Sequence, residues 1–329
     1  MNLKTIYSTS PARGWLPWAL LAPVICLAFA IATEIPSALF LERFGFLDAQ
    51  GEFVGAQGFM AMLLVSFITW MLAVAAWIAV VERRNAGTIG LTKAGAAPGF
   101  YGGLVAGVVM LSAVVACIWL AGAYEPIALF PAAQSAGALV AIAGLFVCFI
   151  VQASIEEIIF RGWLTSVITR RTNLIIAVLI SSLLFTLMHF SRGQPWLVTG
   201  NILLFALFAS AWSISSNNIW GVMGWHAGWN WILATGFDVP VTGLDAGVPA
   251  LTVSLAPAGP DLLTGGAQGP EGSIFCTLFL VCGIIFFACR IARKRRDVGP
   301  DQNKTCGRAD LTIRPRASPT FAPTPRSLM

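Results

Sequence analysis

The feature that most constrains this chain is a series of long apolar runs with almost no charge. The segment 137–153, GALVAIAGLFVCFIVQA, holds no charged residue. A membrane-crossing helix needs about 20 predominantly apolar residues. Charged residues make up 11% of the chain and hydrophobic residues 57%, whereas soluble domains are about a quarter charged. The sequence therefore predicts an all-α fold, a polytopic membrane helix bundle.

The apolar runs predict about eight transmembrane helices, placed at 15–33, 58–81, 99–123, 137–169, 174–190, 196–214, 219–237 and 273–289. The first run is longer than a signal-peptide core and lacks a clear cleavage site, so we interpret it as a span. Lysine and arginine concentrate in the N-terminal arm, in the links after the second and fourth helices, and after the eighth. By the positive-inside rule, both termini are expected in the cytoplasm. The segment 238–272 is then a long external loop, and nothing in it suggests a folded domain.

The net charge of +5 comes from one end of the chain. Ten of the twenty basic residues lie from Arg290 onward, so the rest is slightly acidic. The predicted organisation is a cytoplasmic arm at 1–14, a membrane domain at 15–289, and a basic, disordered cytoplasmic tail at 290–329. Because the basic cluster adjoins a spanning segment, we expect no nucleic-acid partner.

Ionisable side chains are scarce in the predicted spans, and they gather in three short segments. The chain has only two histidines, His189 in LLFTLMHF and His226 in GWHAGWNW. Two adjacent carboxylates, Glu156 and Glu157, occur in SIEEIIFRGW. Ionisable groups at membrane depth are costly, and by default they indicate a functional site. These three segments are therefore the candidate site.

The turn near Thr172 is expected to bring Glu156 and His189 to one level of the bundle. Each lies about 16 residues from that turn, which is roughly 25 Å along an α-helix. Glu157 and Arg161 are four residues apart and can pair on one helix face. Glu156 lies on another face, where it is free for chemistry.

The seventh predicted helix adds His226 and Asn230, which are four residues apart and therefore share a face. His226 would lie roughly 12–15 Å from the cytoplasmic end of its helix, so we expect a site part-way into the bilayer and open toward the cytoplasm. A carboxylate can act as general base on water, and two neutral imidazoles can bind a metal that acidifies this water. An amide N–H can stabilise an oxyanion. Together these groups suit peptide hydrolysis without a serine or cysteine nucleophile.

Three motifs, EExxxR, FxxxH and HxxxN, occur in this order on predicted spanning helices. Their residues are Glu156, Glu157 and Arg161, then Phe185 and His189, then His226 and Asn230. On these motifs the chain resembles the CPBP family of intramembrane endopeptidases, also called the Abi or CAAX-protease family. That family includes the type II CAAX prenyl endopeptidases and bacteriocin-processing or self-immunity proteins.

The resemblance implies a membrane metalloendopeptidase of the CAAX prenyl protease type, with its catalytic core at about 137–237. Glu156 would be the catalytic carboxylate, His189 would position the water or a metal, and His226 and Asn230 would stabilise the tetrahedral intermediate or hold the site. The metal would be a divalent ion, zinc if any, bound by His189, His226 and Glu156; a metal-free, glutamate-activated water is the alternative. The remaining motif residues have supporting roles: Glu157, Arg161 and Phe185. The expected partners are the bilayer and a peptide or protein substrate presented at the membrane, with or without a lipid.

Two other functions stay open. A non-enzymatic membrane immunity or adaptor protein of the same family could keep the polar cluster for folding or partner binding. A proton-coupled transporter is less favoured: Glu and His chains serve as proton relays, but no internal repeat of the kind common in transporters is visible. The Ala-, Gly- and Trp-rich composition suggests a bacterial inner membrane as the location.

Overall fold

The structure is a computed structural model that describes residues 6–8 and 10–297. The predicted tail beyond residue 297 therefore lies outside the described residues. Eight helices of 15 or more residues run through the described part. They are α1 (Leu21–Arg43), α2 (Gly55–Glu82), α3 (Ala96–Leu120), α4 (Ala136–Arg171), α5 (Leu174–Met188), α6 (Trp196–Ser216), α7 (Trp220–Gly236) and α8 (Ile274–Asp297).

The predicted all-α polytopic bundle is confirmed. Six of the helices are long and apolar enough to cross a membrane: α1, α2, α3, α4, α6 and α8. The other two are shorter, with 15 residues in α5 and 17 in α7. The count of eight spans and the cytoplasmic position of both termini therefore stay predictions.

Helix α1 differs most from its predicted bounds of 15–33. It begins at Leu21 and continues through Glu34 and Pro36 to Arg43. The prediction ended the helix where the first charge appears, since charge usually marks the end of a lipid-embedded run. The helix itself continues because its backbone hydrogen bonds do not depend on side-chain polarity, and a single proline removes only one donor.

Helix α8 also continues past residue 289, where the sequence placed its end and the start of a disordered tail. Residues 290–297 are helical, so that part of the tail prediction is wrong. The Lys294 ammonium donates to the carbonyl oxygen of Ser215 at the end of α6, at 2.7 Å. Basic side chains near a helix C-terminus are favoured by the helix dipole, and this contact ties the last turns to the bundle.

The helices differ in how far they are enclosed. In the apolar windows of α1, α2 and α8 only 17% of residues are buried, against 39% in α4 and 44% in α6. Helix α7 is buried along nearly its whole length. The helices that carry the polar motifs are thus the inner ones, and the outer helices present apolar side chains to lipid.

Glycines hold α7 against α3 at very short range. A Cβ added at Gly224 would collide with the carbonyl oxygen of Phe100, and one added at Gly228 with that of Leu104. On α3, Gly103 and Gly107 meet the α7 backbone in the same way. Small residues at such spacing let membrane helices approach closely. This contact fixes the helix that carries the HxxxN motif.

Helix α4 changes its winding just after the two glutamates. Residues Ile158–Leu164 form a π-helical segment within the longer helix. The carbonyl oxygen of Phe160 in this segment accepts hydrogen bonds from the hydroxyls of Thr165 and Ser181, at 2.7 and 2.9 Å. π-Helical turns are frequent at functional sites. Arg161, which pairs with Glu157, lies within this segment.

The connection between α7 and α8 is more ordered than the sequence suggested. It contains strand β2 (Val253–Pro257), which pairs antiparallel with β1 (Tyr124–Leu129) from the connection between α3 and α4. The backbone amides of Leu251 and Thr252 also donate to carbonyl oxygens at the end of α7, at 2.6 and 3.1 Å. This strand pairing in the segment was not foreseen from the sequence, although no folded domain was expected there. The pairing was missed because its two strands are far apart in the sequence.

The opposite end of the bundle is closed by a buried ion pair and by the N-terminal arm. Arg84 donates to the Glu82 carboxylate at 3.0 Å and to Ser166 of α4 at 2.6 Å. Burial lowers the pKa of Arg84, and the charge of Glu82 opposes this shift. Tyr7 of the arm donates its hydroxyl to the carbonyl oxygen of Arg161 at 2.9 Å. The arm is thus packed on α4, close to the candidate site.

Candidate active site

The carboxylate of Glu156 lies between the two histidines of the chain. Its Oε1 is 3.7 Å from Nε2 of His189, and its Oε2 is 3.6 Å from Nε2 of His226. Glu156 and His226 are buried, whereas the side chain of His189 is 27% exposed. His189 is the residue that follows the last turn of α5, not a residue inside the helix as predicted.

The other nitrogen of each imidazole already has a partner. Nδ1 of His226 is 2.9 Å from Oε1 of Glu157, and Nδ1 of His189 is 2.9 Å from the carbonyl oxygen of Phe185. A carbonyl oxygen and an ionised carboxylate can only accept hydrogen bonds. In a neutral imidazole beside either of them, the proton is therefore assigned to Nδ1 and the lone pair to Nε2. The gaps of 3.6 and 3.7 Å to Glu156 are too long for hydrogen bonds. Three proton acceptors therefore face one another with no donor among them.

Glu157 has a larger role than its predicted pairing with Arg161. The pair is present, with Nη1 of Arg161 donating to Oε1 of Glu157 at 3.0 Å, and both side chains are buried. The same Oε1 accepts from His226. One carboxylate thus compensates a buried guanidinium and orients an imidazole on another helix. The sequence reasoning did not foresee the second contact, because Glu157 and His226 meet only after the helices pack.

Phe185 lies between a guanidinium and an imidazole. Its ring stacks on that of His189 with centroids 4.2 Å apart, and Cζ of Arg161 lies 4.4 Å from its ring centroid. A cation at this distance from an aromatic face is attracted by the ring quadrupole. The aromatic residue of the FxxxH motif therefore fixes the orientation of His189, in the supporting position predicted for it.

Asn230 faces the cavity beside a residue that sequence reasoning missed. Its Nδ2 donates to Oε1 of Gln152 at 3.1 Å, and both amides are buried. Gln152 is four residues before Glu156 and therefore on its helix face. That spacing is the signal that could have identified it. This contact uses one N–H of Asn230 and neither N–H of Gln152, so each amide keeps a donor for a ligand.

These groups line one cavity of about 270 Å³ among α2, α4, α5, α6, α7 and α8. Glu156, His189, His226 and Asn230 are all among its lining residues. The structure therefore brings the four predicted catalytic residues together, while their roles stay predictions.

The cavity reaches the end of the bundle that carries the connection between α7 and α8. Val241, Thr242 and Leu244 of that connection line it, and so does Glu271. Glu271 accepts hydrogen bonds from Nε1 of Trp229 and from Thr242, both at 2.8 Å. The expected opening toward the α4–α5 turn, the cytoplasmic side by the charge rule, is not what these lining residues show. That expectation was based on counting residues from the cytoplasmic end of α7, and such a count gives the depth of His226 but not the side from which the cavity is reached.

The donor types at this site suit a metal ion, but the donor atoms are not spaced to coordinate one. Two imidazole nitrogens and a carboxylate are common zinc ligands, and each imidazole has the outer hydrogen-bond partner usual for such ligands. Among the described residues, however, no group of three or more His, Cys, Asp or Glu side chains is spaced to hold an ion as it stands. His189, His226 and Glu156 are the side chains whose donor atoms face one another at this site.

The central part of the chain is similar to a known family. Residues 137–232 match the family model described as Rce1-like, type II CAAX prenyl endopeptidase. The matched segment contains every motif residue described above. The match supports a protein of the CPBP family and, at the level of the family, an intramembrane protease of the CAAX type. Neither a curated protein nor a solved structure matches the chain.

Proposed function

We propose that this multi-pass membrane protein is an endopeptidase that hydrolyses a peptide bond near the membrane surface. In this proposal Glu156 is the general base on the attacking water. The observation that carries the proposal is the convergence of the Glu156 carboxylate and two imidazole lone pairs on one spot in a cavity. Three acceptors without a donor form a site for a molecule that brings its own protons, and water is that molecule.

The water would be held between Glu156 and the two Nε2 atoms. Glu156 takes one of its protons while the oxygen attacks the carbonyl carbon of the peptide. A positioned base of this kind contributes about 10²–10⁴-fold to a rate. The protonated Glu156 then gives the proton to the leaving nitrogen, the C–N bond breaks, and the products are a carboxylic acid, which keeps the second proton of the water, and an amine.

The developing oxyanion needs hydrogen-bond donors. Asn230 and Gln152 both line the cavity, and each amide has an N–H that the contact between them leaves available. Donors held in place before the reaction stabilise the oxyanion strongly in a low-dielectric site. In the proposed mechanism Asn230 is the main donor, and Gln152 fixes its orientation.

The metal requirement stays a prediction. A divalent ion on His189, His226 and Glu156, zinc by donor type, would lower the pKa of the bound water. The mechanism above assigns no step to it. The proposed substrate is a peptide or protein presented at the membrane, with or without a lipid, and the proposed location is a bacterial inner membrane.

The test of this proposal is the variant Glu156→Gln, which keeps the size of the side chain and removes the base. We expect cleavage of a peptide library by the purified full chain in nanodiscs to fall by at least about 100-fold. The matched control is Glu125→Gln, on an exposed site of β1 away from the cavity. Metal content is measured on the same preparations. A Glu156→Gln protein that cleaves at the parent rate would refute the assigned mechanism.

The same residues separate this function from its rivals. If alanine at Glu156, His189 and His226 each leaves the cellular phenotype intact at normal protein levels, the protein is an adaptor or immunity protein. Uptake into vesicles driven by a pH gradient, lost in Glu156→Gln, would instead indicate a proton-coupled transporter.

A further inference from the structure

A second cavity lies on the other side of Glu156 and His189, between α1, α2, α4 and α5, and it also measures about 270 Å³. The two cavities share four lining residues, Met62, Phe67, Glu156 and His189. Glu156 and His189 therefore lie where the cavities meet. A peptide that passes from one cavity into the other would have its backbone beside the Glu156 carboxylate. The residues on the two sides of the cleaved bond would then occupy different cavities.

The second cavity has its own polar groups. Glu34 and Thr33 of α1 and Ser66 of α2 line it. The Ser66 hydroxyl is buried without a hydrogen-bond partner. Two acidic residues, Glu34 and Glu156, are among its described lining residues, and no lysine or arginine is among them. The cavity is therefore negative in character and has no internal cation.

The position of Glu34 is energetically unfavourable for a carboxylate. It lies near the middle of α1, a 23-residue helix that is long and apolar enough to cross a membrane. It is exposed, and it takes part in none of the ion pairs among the described residues. A carboxylate at membrane depth is costly unless it faces water or a partner, and it usually marks a substrate or ion pathway. The partner that fits is a cation that arrives with a ligand.

We propose that Glu34 is a specificity-determining residue that selects substrates with a Lys or Arg side chain on the second-cavity side of the cleaved bond. This inference rests on the proposed endopeptidase function. Lysine and arginine have apolar stems and charged heads. The stem fits the apolar lining formed by Phe67, Trp70 and Met188, and the head pairs with the Glu34 carboxylate.

The cleavage test uses internally quenched apolar peptides that differ only in carrying Lys, Gln or Glu near the cleaved bond. With the full chain in nanodiscs, we expect kcat/KM for the best Lys peptide to exceed that of its Gln counterpart about tenfold, the effect of one hydrogen bond between charged groups. In Glu34→Gln this ratio falls to about one, and in Glu34→Lys the preference shifts to Glu peptides. Glu42→Gln, on the same helix and outside both cavities, keeps the parent ratio. A Lys preference that survives Glu34→Gln, or a parent without one, overturns the inference.

A binding measurement separates this inference from the proposed function. In a Glu156→Gln background, affinities of the same Lys and Gln peptides are compared with and without Glu34→Gln. If the protein binds Lys peptides through Glu34 but cleaves nothing, the proposed endopeptidase function is refuted and the role of Glu34 is not. If the protein cleaves peptides and Glu34→Gln changes neither binding nor cleavage, the role of Glu34 is refuted and the endopeptidase function is not.

Discussion

At the scale of single residues, two adjacent glutamates have the same chemistry and different surroundings. Glu157 is enclosed by Arg161 and His226, which share its Oε1. Among the described residues Glu156 makes no hydrogen bond through either carboxylate oxygen and faces two imidazole lone pairs, whereas in Glu157 only the buried Oε2 has no partner. The difference arises because neighbouring residues on a helix point about 100° apart. Glu157 therefore faces Arg161 and His226, and Glu156 faces the cavity.

This difference predicts that two isosteric substitutions both lower activity but differ in their effect on stability. Glu157→Gln leaves the buried Arg161 guanidinium without a counter-charge, so we expect the free energy of unfolding to fall by about 3–5 kcal/mol. Cleavage should fall as well, because His226 loses the acceptor that fixes its tautomer. Thermal unfolding in detergent measures the first effect. The matched control is Glu156→Gln, for which activity falls while the unfolding temperature stays near that of the parent. Equal unfolding temperatures for Glu157→Gln and the parent would contradict the structural role of Glu157.

At the scale of elements, the site depends on how closely α3 and α7 pack. Gly224 and Gly228 of α7 lie on either side of His226 in the sequence, and each meets backbone atoms of α3. Outward displacement of α7 would carry His226 and Asn230 away from α4 together. A helix that makes no catalytic contact thus sets the catalytic geometry.

We predict that Gly228→Ala lowers both stability and activity. The added methyl group would meet the carbonyl oxygen of Leu104 and force the helices apart. Overpacking of this kind costs about 1–3 kcal/mol. The control is Gly102→Ala on α3, where an added Cβ has no neighbour within 4 Å. Unfolding temperature and cleavage rate are compared for the two variants, and a Gly228→Ala protein indistinguishable from Gly102→Ala would rule out the proposed role of the glycines.

At the scale of the whole molecule, the cavity and the charge distribution give opposite ends of the bundle different roles. Basic side chains mark the end with the α4–α5 turn, where Arg170 and the N-terminal arm meet through the carbonyl oxygen of Ser8 at 2.8 Å. The cavity reaches the other end, where Glu271 joins Trp229 to Thr242. If the positive-inside rule holds, a substrate approaches this cavity from the external side or from within the bilayer.

Topology is therefore the whole-molecule prediction. An epitope inserted after Asp245, an exposed residue of the α7–α8 connection, should be detected on spheroplasts, in which the outer membrane is opened and the inner membrane is intact. An epitope after Met329 should require permeabilisation, because both termini are expected in the cytoplasm. Detection of the two epitopes under the same condition would overturn the predicted topology.

The sequence by itself determined the fold class and the site candidates. Apolar runs predict helices in lipid because every backbone group must be satisfied inside the segment, and the cost of charge at that depth singles out Glu156, His189 and His226. Helix ends were less predictable: α1 and α8 continue past their first charges.

Only the tertiary structure decided which groups share a cavity and which face each other. The contacts of Glu157 with His226 and of Asn230 with Gln152 join residues 69 and 78 positions apart. The strand pairing and the meeting of two cavities at Glu156 likewise bring together distant segments. Side-chain periodicity specifies a face of one helix and carries no information on the rotation and depth of its neighbour. Those are fixed by packing, here by glycine contacts, ion pairs and the π-helical segment of α4.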